Sequence, residues 1–67
     1  MKAIVISKNP KQDSSIKKCV ANSSGISNLE IDVASHKFTF EFSTHNAIEG
    51  LREKLIAFGF AIEFIYP

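Results

Sequence analysis

The 67-residue chain has one cysteine, one arginine and almost no net charge. A lone Cys19 excludes an intrachain disulfide and suits a reducing, cytoplasmic compartment. Eight basic residues against seven acidic ones leave a charge of +1, so the concentrated basic surface on which nucleic-acid binding rests is missing. No apolar run is long enough for a membrane span. The stretch that follows Met1-Lys2 is also too short for the hydrophobic region of a signal peptide. Repeats, linkers and low-complexity segments are absent as well, and the expectation is a single domain over residues 1–67.

What the chain does have is a core. Its hydrophobic fraction is 45% with six phenylalanines, which excludes a disordered tail. The organising stretch is Leu29 to Phe42, LEIDVASHKFTFEF. Leu29, Ile31 and Val33 alternate with Glu30 and Asp32, and Phe38, Phe40 and Phe42 alternate with Thr39 and Glu41. Period-two alternation around the polar turn Ala34-Ser35-His36-Lys37 predicts an antiparallel hairpin with one apolar face.

Upstream, the β-branched run Ala3-Ile4-Val5-Ile6 predicts a central strand. Asn9 as N-cap, Pro10 at the first helical position and Gln12 reaching back to the cap predict a helix to Ser23 or Ser24, with Ile16, Cys19 and Val20 inward. Gly25 is placed to stop it in the left-handed conformation. Downstream, Thr44 or Asn46 caps a second helix whose stripe is Ile48, Leu51, Leu55 and Phe58. Gly59 ends that helix, and Ala61 to Tyr66 form a last strand.

The order strand, helix, strand, strand, helix, strand predicts an α+β, ferredoxin-like βαββαβ fold. Two helices would lie on one face of a four-stranded antiparallel sheet. The first and third strands take the centre. The second lies on an edge, where Glu30 and Asp32 would guard against edge-to-edge pairing.

Several stretches together make the chain resemble the heavy-metal-associated domain of copper chaperones. They are KAIVI, the helix ending at Gly25-Ile26, LEIDVASHKFTFEF, and IEGLREKLIAFGFAIE with its Gly59-Phe60 step. The family's chemistry resides in a Cys-x-x-Cys in the first loop, where two soft thiolates hold Cu(I). Counting back from Gly25 through Val20 and Ile16, those positions fall on Asn9 and Gln12. Neutral amides are poor ligands for such ions, and Cys19 lies about two turns further along the helix, so the family's ligands do not carry over and no cofactor is expected.

Few other residues carry chemistry. In this topology the loop at 9–12, the turn holding His36 and the Gly59-Phe60 corner share one end. His45 falls at the opposite end and Cys19 between them. His36 is the one ligand candidate beside the loop, against the plainer reading of a solvated turn histidine. Cys19 reads as a small buried residue or, with a second chain, as half of an intermolecular metal pair. Aromatic nucleic-acid readout of the RNA-recognition type would turn the phenylalanines outward and bury Glu41. The single arginine, Arg52, sits on the second helix rather than in a phosphate-binding first loop, and no catalytic constellation is visible. The remaining expectation is a non-enzymatic protein-contact module, monomer or weak dimer, in a metal-homeostasis setting, using Glu30, Asp32 and Glu41 and an apolar patch at Ile4 or Ile6. The second is an atypical, weak copper- or zinc-binding protein using His36 or Cys19.

Overall fold

The computed structural model describes residues 1–66. Strand β1 (Lys2–Ser7) leads through a 3-10 turn, Pro10–Gln12, into helix α1 (Asp13–Ala21). Strands β2 (Ile26–Asp32) and β3 (Lys37–Phe42) form the hairpin, helix α2 (His45–Ala57) follows, and β4 (Ile62–Ile65) closes the chain. The sheet order is β2-β3-β1-β4, all antiparallel. The expected ferredoxin-like arrangement is therefore the observed one, with β1 and β3 central.

One side of the sheet carries the core. Ala3 and Val5 of β1 and Phe38, Phe40 and Phe42 of β3 are buried against Ile16 and Val20 of α1 and Ile48, Leu51 and Leu55 of α2. Phe38 and Phe40 are the largest fully buried side chains. Each removes apolar surface worth about 1.5–3 kcal/mol from water. The alternate positions, Ile4, Ile6, Thr39 and Glu41, lie on the open face.

Both interior glycine stops adopt the left-handed backbone, at φ 79° for Gly25 and 78° for Gly59. Gly25 has a second reason to lack a side chain. A Cβ there would come within 2.8 Å of the Ala47 Cβ and 3.0 Å of the Ser43 Oγ, where the exit from α1 crosses the start of α2.

Four expectations are corrected. Helix α1 ends at Ala21 rather than Ser23 or Ser24. The Ser23 hydroxyl instead donates to the Cys19 carbonyl at 2.7 Å, the local competition that makes serine a poor helix residue. The turn of the hairpin comes one residue earlier than expected, since Lys37 is already in β3 and Asp32 accepts from the Ser35 amide and hydroxyl. Ile31, opposite the core residue Phe38, and Val33 stay 37% and 76% exposed, because Ile31 is on the edge strand and Val33 lies past its end in the turn. An extra residue in β2 between Ser27 and Glu30, with Asn28 at φ 54°, adds a bulge that the alternation does not reveal. Finally, Phe58 is 64% exposed, outside the core its helical spacing assigned it to. It is the C-cap residue of α2 and lines the groove between the helices.

Candidate functional site

Three segments meet at one end of the sheet, beside the loop that follows β1. The Ser7 amide donates to the His36 carbonyl and the Lys8 amide to the Ala61 carbonyl, each at 2.8 Å. These bonds tie the loop to the hairpin turn on one side and to the entry of β4 on the other. The turn and the Gly59-Phe60 corner thus flank the loop as the topology requires.

Within the loop, both amide side chains have backbone partners. Asn9 caps the 3-10 turn, its Oδ1 accepting from the Lys11 amide at 3.1 Å. Gln12 does not reach back to the cap as its spacing suggested. Its Oε1 accepts from the Ala61 amide at 2.9 Å, which pins the base of α1 to the start of β4. This contact spans 49 residues, so no local pattern could announce it.

The charged centre of this end is a pair that the sequence showed only in part. His36, held at φ 53°, brings its Nδ1 to 2.6 Å from the Asp13 Oδ2. Asp13 is the first residue of α1, where an acid is ordinary for helix reasons alone, and nothing in its spacing linked it to His36. The Ser7 hydroxyl and then His36 hold the Asp13 carboxyl below the usual aspartate value, against the opposing effect of desolvation. The buried Ser7 hydroxyl has one hydrogen for two acceptors: here it donates to the Asn9 carbonyl at 3.0 Å, and turned toward Asp13 it supplies the partner that the buried Oδ1 otherwise lacks.

The other candidates lie elsewhere. Cys19 lines a groove between the two helices, with Lys54 across from it. Desolvation pushes its thiol up despite the nearby Lys54 charge, which favours the unreactive protonated form. His45 stands at the start of α2 beside Glu49 and the Tyr66 ring. Glu49 also accepts a 2.5 Å hydrogen bond from the Tyr66 hydroxyl, which raises the tyrosine above its usual range. Among the described residues no three of His, Cys, Asp and Glu converge as a metal-ligand group. The donor set of the loop, two amides already bonded to backbone, does not fit the two-thiolate site that the resemblance implies.

Glu30, Asp32 and Glu41 share the open face, opposite Thr39, Lys37 and Ser27 in register. Glu41 accepts from the Asn28 side chain at 2.7 Å and Asp32 from Ser35, so Glu30 is the one of the three without a side-chain partner among the described residues. Between β1 and β4 on the same face lie Ile4, Ile6 and the exposed Ile65, with Glu63 held by Lys8 at 3.3 Å beside them. No helix among the described residues is long and apolar enough to cross a membrane.

Neither a family model nor a curated protein matches the sequence. Solved structures do match the fold. Oxidized MerP from Ralstonia metallidurans CH34 aligns with a TM-score of 0.73 and 11% identity, over 98% of this chain and 97% of that one. A chain solved in work on crosstalk between Cu(I) and Zn(II) homeostasis aligns at 0.70 and 12% identity, over 97% and 99%. The fold is thus shared with both, over nearly the full length of each chain.

Proposed function

We propose that this chain is a non-enzymatic contact module built on a heavy-metal-associated-like scaffold, acting in metal homeostasis without carrying metal in the first loop. The observation that carries the proposal is the loop itself. Asn9 and Gln12 occupy the two ligand positions, and each has its side-chain oxygen engaged by a backbone amide. A loop bonded in this way is a structural corner. With the loop closed, the surface left for function is the open sheet face, where Ile4, Ile6 and Ile65 sit among Glu30, Asp32, Glu41 and Glu63. A small apolar patch with charged surroundings suits a transient protein contact, in which the apolar centre supplies affinity and the rim supplies orientation.

A second reading rests on the His36–Asp13 pair. A histidine whose Nδ1 is held by a carboxylate is oriented as metal-ligating histidines commonly are, with Nε2 free for an ion. One experiment separates the two. The reduced protein is titrated with Cu(I) and then Zn²⁺ while ¹H–¹⁵N spectra are recorded. The contact-module reading expects no stoichiometric shifts. Saturable shifts at residues 8–13, 35–37 and 59–61, lost in His36→Ala, would establish the metal reading instead.

A further inference from the structure

We infer that the groove between α1 and α2 is a second docking site, which takes an acidic peptide segment carrying a bulky apolar side chain. The groove encloses about 460 Å³ and is lined by Ser15, Lys18, Cys19, Asn22, Lys54, Phe58 and Phe60. It lies on the helical side, away from the sheet face, and shares only Phe60 with the corner that flanks the loop.

Two observations point to an occupant. The first is Phe58, which the packing does not explain. It stands 64% exposed at the lip of the groove, its ring 5.7 Å from that of Phe60 and tilted by 38°. An exposed phenylalanine leaning on a half-buried one at the mouth of an apolar trough is a ready anchor for a partner's side chain. The second is charge. Lys18 and Lys54 face the trough from opposite helices, no acid lines it, and neither lysine is in an ion pair among the described residues. Apolar floor and unopposed cationic walls are complementary to an apolar residue flanked by carboxylates. Ser15 and Asn22 add polar groups that can bond a peptide backbone laid across the trough. A second copy of this chain is a poor occupant. Five of its seven acids already have side-chain partners: Asp13 with His36, Asp32 with Ser35, Glu41 with Asn28, Glu49 with Tyr66 and Glu63 with Lys8.

The test uses the full, reduced, ¹⁵N-labelled chain at low salt. The probes are two capped peptides, Ac-Glu-Glu-Leu-Trp-Glu-Glu-amide and Ac-Lys-Lys-Leu-Trp-Lys-Lys-amide. The glutamate peptide alone should shift the amides of Lys18, Cys19, Asn22, Lys54, Phe58 and Phe60, and added salt should weaken it. Phe58→Ala should weaken it about fivefold or more. Lys18→Glu combined with Lys54→Glu should transfer the preference to the lysine peptide. All these positions are exposed or half-buried, and circular dichroism of each variant checks that the fold is retained. Four results would overturn the inference. One is both peptides shifting the groove equally or not at all, and another is shifts confined to Ile4, Ile6, Glu63 and Ile65, which would support the sheet-face reading alone. Octanoate could shift the groove where both peptides fail, making it a small-ligand site. The groove amides could shift with protein concentration alone, making a second copy the occupant.

Discussion

Leu55 and Phe58 are three residues apart on one helical stripe, and replacing each with alanine should have opposite consequences. Leu55 is fully buried. Its truncation removes the transfer energy of the side chain and leaves a cavity, about 2–5 kcal/mol together. A chain of 67 residues has a total stability of about 3–10 kcal/mol, so Leu55→Ala brings it close to unfolding. Phe58 is 64% exposed, so about a third of its surface is removed from water. A third of the roughly 1.5–3 kcal/mol for a fully buried large side chain is about 0.5–1 kcal/mol. The better helix propensity of alanine offsets about half of that. Phe58→Ala should therefore cost under about 1 kcal/mol, a fall in melting temperature of less than about 8 °C. Urea unfolding followed by circular dichroism measures both. A loss of about 3 kcal/mol or more in Phe58→Ala would mean that Phe58 belongs to the core, as its spacing suggests. The open aromatic lip of the groove would then not exist.

Three further outcomes follow from the geometry. Gly59→Ala meets no atom within 4 Å and should cost only the left-handed backbone, about 1–2 kcal/mol, whereas Gly25→Ala adds a 2.8 Å overlap with Ala47 and should cost about 2–5 kcal/mol in the same urea assay. Asp13 has its carboxyl lowered in the folded state, so the native protein binds fewer protons there than the unfolded chain and the group's contribution rises with pH. That contribution is complete above the unfolded value of 3.8 and is lost as pH falls through the lower folded value. The stability gap between wild type and Asp13→Asn should accordingly be level above about pH 4 and shrink below it, and a gap that instead grows in acid would contradict the Ser7 and His36 contacts. Asn9→Ala and Gln12→Ala should each cost about 1 kcal/mol, the worth of a cap or one exposed hydrogen bond, and should leave any response to Cu(I) or Zn²⁺ unchanged.

Where the sequence was readable, one side-chain period dominated. Phe38, Phe40 and Phe42 alternate without interruption on a central strand, and all three are buried as their alternation requires. The same argument failed for Ile31 and Val33 because alternation states which face a residue takes, while burial also needs something opposite. Ile31 is on an edge strand, and Val33 lies past that strand's end in the turn. Phe58 failed likewise: it continues the apolar stripe but is the C-cap of α2, where helical periodicity ends. At the candidate site the sequence states the residue types, amides at Asn9 and Gln12, but not the contacts they make. Gln12 with Ala61 and His36 with Asp13 are joined across 49 and 23 residues by single hydrogen bonds, and such pairs leave no periodic trace. The misread residues therefore share a physical character. Ile31, Val33 and Phe58 are apolar side chains at the margins of the core, where spacing alone counts them as packing. Of these, Phe58 has an aromatic neighbour and, around it, two lysines without an ion pair among the described residues, and that surrounding separates the proposed docking lip from an edge merely left uncovered.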